Sequence, residues 1–396
     1  MIKIRAGFLP LLDSAILIAA HEKGFAKGEG LELRLSRETS WANIRDRLSV
    51  GQLDVAQMLA PLPVAQNLGL SPLKNRIIVP FALGLGGNAI TVSNEVFQKL
   101  HAIDRDCRQT PTRAGAALRQ LVHQRLGPKL AFAVVHAFSS HAYELRYWLS
   151  ACGIDPRHDV DITIVPPSLM ADALTGGAID GFCVGEPWNS VAVARESGTI
   201  LTTKSAIWRS SPEKVLGVAE KWAEANAESV DALLLALHRT ALWCQDPIHH
   251  SELADILSRD IYVGVSARAL QSTLACQLPG LGVVPDFVCF ADRAANFPWQ
   301  SHALWFFSQM VRWNEIGFSA GAAEVARSTY RPDIYRRALA KAGVALPGGS
   351  SKVEGTLTLP TRLPALGGEL VLGPDGFFDG RTFDPDQIES YISSFT

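Results

Sequence analysis

The sequence predicts an α/β protein of two lobes, each lobe a mainly parallel sheet flanked by helices. At 396 residues the chain exceeds what one hydrophobic core of ordinary size organises, so two compact bodies are expected. Its 47% hydrophobic and 19% charged content suits a packed globular chain and argues against disorder. Short β-prone runs also alternate with helix-length segments, the pattern of repeated strand–helix units.

Taken in order, Lys3–Leu9 alternates as a strand, and Asp13 or Ser14 caps a helix reaching about Lys27. Leu31–Ser36 is a second strand. Thr39-Ser40 caps a helix through Asp46 to about Gly51, and Asp54–Leu59 is a third strand. Pro61–Asn67 opens a helix with proline in its first turn, where a missing N–H costs nothing. Ile77–Leu83 is a strand, and Leu83-Gly84-Leu85-Gly86-Gly87 reads either as a hinge or as an ordinary glycine-rich loop before the strand Ala89–Ser93.

A second series follows. Lys129–Val135, Asp159–Val165 and Ile179–Val184 are strands; His141–Ala151 and Ser168–Thr175 are helices, and Pro187 opens another. Beyond residue 203 the chain reads as mostly helical, with Glu213–Ala225, Val230–Cys244 and Pro298–Trp313. After Gly348 it is rich in Gly and Pro. The expected division is residues 1–85 for the first part of lobe 1, 86–202 for lobe 2, and 203–396 for a mainly helical return to lobe 1 with a C-terminal extension.

Several function classes recede. A net charge of −2 without a basic run gives no footprint for nucleic acid. No apolar stretch approaches the roughly 20 residues of a membrane span. The apolar run Ser14–Ala20 is too short for a signal-peptide core, so the expectation is a cytoplasmic chain, or one whose leader was removed. The six cysteines form no C-x-x-C pair and read as buried free thiols. His249-His250 on a helix would point apart, so no metal or other cofactor is expected. No G-x-S-x-G elbow or H-E-x-x-H motif is present, and an enzyme is not expected.

Three places put polar groups where a strand ends and a helix begins, the point at which unpaired N–H groups favour an anion. Thr39-Ser40-Trp41 offers an indole N–H, or a packing tryptophan. Ser139-Ser140-His141 offers an imidazole in a first helical turn, or a capping histidine. In Cys183-Val184-Gly185-Glu186-Pro187-Trp188-Asn189, Gly185 admits close backbone approach, whereas the Glu186 carboxylate would repel an anion and instead orient its donors. Lys214 is a candidate counter-charge, or a solvated surface lysine.

With these motifs in place, the chain resembles the nitrate- and bicarbonate-binding proteins of ABC importers, a branch of the type II periplasmic-binding-protein fold. The resemblance covers most of the chain, through Thr39-Ser40-Trp41, Leu145-Arg146-Tyr147-Trp148-Leu149, Val165-Pro166-Pro167, the Phe182–Asn189 run, Pro212-Glu213-Lys214, Ser301–Phe306 and Phe377-Phe378-Asp379-Gly380. It implies a ligand pocket for nitrate or nitrite at Trp41, Asn88, His141, Gly185, Glu186 and Lys214. Asn88 departs from the pattern, since the nitrate receptors carry Gln there. Because the chain starts at its first strand, it looks most like the cytosolic NasS-type nitrate/nitrite sensors. That resemblance implies an ANTAR-type RNA-binding antiterminator as partner, released on anion binding, with no direct nucleic-acid or membrane contact. The alternative is the substrate-binding component of a nitrate or bicarbonate importer.

Overall fold

Strands β1 (Ile2–Phe8), β2 (Leu31–Arg37) and β3 (Val55–Leu59) lie side by side and parallel, in register Ile4↔Leu33 and Ala6↔Val55. They belong to a computed structural model that describes residues 1–395. The chain continues through β4 (Ile77–Ala82), β5 (Leu85–Gly86), β6 (Asn88–Ser93), β7 (Leu130–Val134), β8 (Val160–Ile164), β9 (Gly181–Gly185), β10 (Gly198–Thr203) and β11 (Lys214–Ala219). One sheet has the order β2-β1-β3-β11-β4 and the other β10-β6-β9-β7-β8. Residues of β3, β4 and β9 are buried throughout, as strands covered by helices on both faces must be.

The two-lobed α/β class is as expected, and in each sheet four of the five strands run the same way while one runs against them. β1 pairs in parallel with β2 and β3, and β7 with β8 and β9, while β11 and β6 each run antiparallel to both neighbours. The reason lies in the route of the chain. The parallel strands end at the cleft between the lobes. A strand entering from the other lobe starts at that cleft and must run away from it. β6 makes this passage in one direction and β11 in the other.

β11 also corrects the expected helix over Glu213–Ala225. Lys214–Ala219 is a strand and only Glu220–Ala225 is helical. Val215-Leu216-Gly217-Val218 is short and β-branched, and it fills the gap between β3 and β4. A Cβ at Gly217 would collide with the Met58 side chain, so glycine suits this packed strand. The helix expected from Asp13 to Lys27 is broken: a 3-10 turn at Leu12–Ser14 precedes Ala15–Glu22, and Gly24 at φ 74° separates Phe25–Gly28. Neither Asp13 nor Ser14 caps it with a side chain.

The glycine-rich passage is a hydrogen-bonded ribbon rather than a free loop. Leu85–Gly86 pairs antiparallel with Val288–Cys289, Leu85 bridges to Pro212, and Gly86 N–H donates to Ser211 O at 3.1 Å. The two passages between the lobes therefore lie side by side. The C-terminal segment straps across the second passage. Phe378 N–H donates to Ile207 O at 2.8 Å, and the Phe377 ring stacks on Trp208 at 4.6 Å. Tyr147 on the Ser140–Ala151 helix donates to Asp379 at 2.9 Å. Lys352 anchors the same segment between buried Glu354 and Asp375, 2.7 Å from the latter. All six cysteines are free. Among the described residues no helix is long and apolar enough to cross a membrane.

Gly86 sits at φ 73°, and a Cβ there would collide with the carbonyl oxygen of Phe287. Gly86→Ala is expected to lower unfolding stability by about 2 kcal/mol. Chemical denaturation measures this, and an unchanged midpoint would show that the ribbon relaxes freely.

Candidate functional site

The cleft is built from the ends of strands. Asn88 begins β6 and pairs in register with Gly185, the last residue of β9; Lys214 begins β11 and pairs with Leu59, the last residue of β3. Each lobe thus presents one strand start beside one strand end. Two helices add first-turn residues. Ser40 accepts from Asn43 N–H at 3.2 Å, capping the helix Trp41–Ser49, and Ser139 accepts from Ala142 N–H at 3.0 Å, capping Ser140–Ala151. These caps fix Trp41 and His141 in place.

Four of the six expected residues are drawn into one buried cluster. The Lys214 ammonium lies 5.3 Å from the Trp41 ring centroid, a cation–π contact out of water. Asn88 Nδ2 donates to Glu213 Oε2 at 2.5 Å, and His141 Nε2 lies 3.4 Å from Glu213 Oε1. Gly185 stands against them without room for a side chain: its Cβ would be 3.1 Å from Asn88 Oδ1 and 3.4 Å from Asp13 Oδ2. Glu186 is turned elsewhere. Its Oε2 accepts from Ser190 N–H at 3.2 Å in the helix that follows, while its main-chain oxygen accepts from Leu12 N–H at 2.8 Å across the cleft. It stitches the lobes through its backbone.

The residue at the centre is Glu213, which the sequence reading placed in a motif but not in the site. Its carboxylate accepts from Lys214 Nζ at 2.5 Å and also from Lys204 Nζ and Ser140 Oγ. Lys204 in turn lies 3.1 Å from Glu144, and Lys214 2.9 Å from Asp13, which also accepts from Gln57 Nε2. Asp13 was read as a helix cap, and Lys204, Glu144 and Ser140 carried no separate signal. The one clue was density of charge, Glu213-Lys214 side by side at the head of an apolar run.

Burial governs the protonation states. It would raise Glu213, but the facing His141, Lys204 and Lys214 outweigh it and hold the carboxyl well below the usual range. Burial also opposes charge on Lys214, yet Asp13 and Glu213 raise its pKa. Burial lifts Glu186 to about 7 and Glu144 to about 8, and drives His141 down to about 3, so the imidazole is neutral. Several buried polar atoms have no hydrogen-bond partner: Trp41 Nε1, Asn88 Oδ1, both ring nitrogens of His141 and Glu186 Oε1. Such atoms in a native interior call for a ligand or water. Among the described residues, no group of three or more His, Cys, Asp or Glu is arranged to hold a metal ion.

The chain as a whole is similar to known proteins. A family model described as the NMT1-like family matches residues 2–258. The nitrate/nitrite binding protein NrtA of Synechococcus elongatus is 30% identical over 407 residues, covering 98% of this chain and 85% of that protein. The nitrate import ATP-binding protein NrtC of Synechocystis is 33% identical over 413 residues, covering 100% of this chain, which spans only 55% of that longer relative. The crystal structure of the periplasmic nitrate-binding protein NrtA from Synechocystis superposes with a TM-score of 0.86 at 26% identity, covering 100% of this chain and 98% of that one. The chain belongs to the NMT1-like family and to the family of the nitrate/nitrite binding protein NrtA.

His141 carries a pH consequence. Its folded pKa of about 3 lies below the ordinary 6.5, so the unfolded chain takes the proton first. Its contribution to stability is whole above 6.5 and is lost as pH falls toward 3. Unfolding free energy should drop over that window by roughly 4 kcal/mol from this residue. His141→Gln should remove one proton's worth of the slope; an identical slope in the variant would refute the assignment.

Proposed function

We propose that the cleft captures nitrate or nitrite, and that the chain serves as the substrate-binding component of an anion importer. One observation carries this. A fully buried Lys214 lies over the Trp41 ring at the meeting point of two lobes, beside a Trp41 indole N–H and a His141 imidazole that have no hydrogen-bond partner. Nitrate is planar and singly charged, and it offers only acceptors, so it matches a ring of donors: ammonium, indole N–H, imidazole N–H, amide NH₂ and the backbone beside Gly185. Asn88 supplies the amide. Bicarbonate brings a proton and wants an acceptor as well, which the unpaired Oε1 of Glu186 offers, so bicarbonate is the competing ligand that the titration must separate.

The relatives' names support the importer role over a cytoplasmic sensor with an ANTAR-type partner. One is a nitrate/nitrite binding protein, one a nitrate import ATP-binding protein, and the solved structure is described as periplasmic. The importer role would likewise place this chain outside the cytoplasm. It calls for binding without turnover, and for lobe closure that buries the anion.

Calorimetric titration with nitrate, nitrite, bicarbonate and sulfate tests the reading. Nitrate or nitrite should bind with a response that bicarbonate does not match. Lys214→Ala should weaken binding by at least tenfold, as hydrogen bonds to charged groups are worth roughly 1.5–3 kcal/mol. Trp41→Phe, which loses one neutral donor worth about 1 kcal/mol, should cost less. Equal affinity in wild type and Lys214→Ala would sink the site.

A further inference from the structure

The strongest donors of the cleft already serve an anion that belongs to the protein. Lys204, Lys214, Asn88 and Ser140 all donate to the Glu213 carboxylate, and His141 stands 3.4 Å from it. None of these side chains is more than 2% exposed. The charge count is closed as well. The ammoniums of Lys204 and Lys214 face the carboxylates of Asp13 and Glu213, two against two. The remaining groups that face Glu213 are Glu144, His141, Cys183 and Tyr330. Burial keeps Glu144, the Cys183 thiol and the Tyr330 phenol protonated, and His141 neutral.

A neutral, water-excluded site has a problem with an incoming anion. A bare nitrate would leave one uncompensated negative charge in low dielectric, and an unpaired buried charge is among the costliest arrangements a protein can hold. The same nitrate would also contest Lys214 and Asn88 with a carboxylate that is tethered and already in place.

We propose that Glu213 is a specificity-determining residue, a resident anion whose donors the ligand must share, so that each monovalent anion enters together with one proton. The proposal rests on the anion-capture reading above. The proton is held by the coupled acids of the cleft, among them Asp13, whose pKa burial raises, and Glu186, lifted by burial to about 7, and not by a single atom. Selectivity follows from the count. A monoanion needs one proton to restore neutrality, whereas a dianion such as sulfate needs two in a site with few bases to take them. Glu213 thereby sorts anions by charge, a task the donors alone do not perform.

The sign of the pH effect is fixed. Proton uptake on binding means that affinity falls as pH rises, by about tenfold per pH unit where one full proton is taken up. Glu213→Gln would leave Lys204 and Lys214 against Asp13 alone, an excess of one positive charge that an anion neutralises without a proton.

The test is titration of the full chain with sodium nitrate near neutral pH, in HEPES and in Tris buffers, whose ionisation enthalpies differ. The difference in heat counts protons, and one per nitrate is expected. Glu213→Gln, with its fold checked by circular dichroism, should bind nitrate at least tenfold tighter, lose the pH dependence, and gain sulfate binding that the wild type lacks. Nitrate binding to the wild type with equal heats in both buffers would overturn this inference and leave the function standing. Silence toward nitrate in both proteins would overturn both. If Glu213→Gln does not fold, the buffer pair on the wild type decides alone.

Discussion

Two lysine ammoniums, buried at 2% exposure or less, share one carboxylate at the centre of this molecule, and the arrangement of both lobes answers to that fact. Buried charges survive only when paired and hydrogen-bonded. Lys214 comes from the start of a strand in the first sheet, Lys204 from the short helix just after β10 in the second, and Glu213 from the passage between them. Each charge needs the others at hydrogen-bond distance. The lobes therefore cannot drift apart at this point without exposing unpaired groups, and the passage that carries Glu213 cannot be irregular. The ribbon formed with Leu85–Gly86 and Val288–Cys289 gives it the necessary backbone partners.

The route of the chain places the chemistry. Asn88 and Lys214 are equivalent by construction, each the first residue of the strand that has just crossed from the other lobe. Each lies in register with the last residue of a strand that runs toward the cleft, Gly185 and Leu59. Polar side chains at strand starts, glycine at a strand end and helix first turns alongside make a donor-rich pocket from backbone geometry before any residue is chosen for it. Residue choice then sharpens it: Trp41 gives a flat face for the ammonium, and Gly185 leaves space for Asn88 Oδ1 and Asp13.

Most of the frame was legible in the sequence, because alternation and cap residues are local signals. Ser40 does cap the helix that carries Trp41, whereas Ser139, read as part of a loop, turns out to cap the helix that carries His141. What escaped was non-local. Lys214–Ala219 looked like the start of a helix because Glu213, Lys214 and the run Ala219–Ala225 are good helix formers; only insertion between β3 and β4 makes the segment a strand. Asp13 looked like a helix cap because a lone aspartate before an apolar run usually is one. Its true partners, Gln57 and Lys214, lie 44 and 201 residues away. Glu213 was the deepest omission. A search for anion donors passes over carboxylates, and so misses the residue that holds the donors together.

The same geometry sets how the lobes are tied together. Across the mouth of the cleft the lobes are joined by few bonds, among them Leu12 N–H to Glu186 O at 2.8 Å and the Trp188 indole to Pro10 O at 3.1 Å. Each is worth about 1 kcal/mol net once water replaces it. Behind the cleft the ties are denser. Tyr143 and Arg146 on the second-lobe helix reach Glu315 at 2.5 and 2.8 Å, and Arg312 reaches Ser150 at 2.8 Å. Arg312 ends the Gln300–Arg312 helix and Glu315 lies just beyond it, and that helix also packs on the Pro61–Asn67 helix of the first lobe. The C-terminal strap closes that side with Tyr147 and Asp379. The lobes are thus stitched lightly in front and riveted behind, and Glu213 lies beside the ribbon where the chain crosses twice, so that the donors of both lobes meet at its carboxylate.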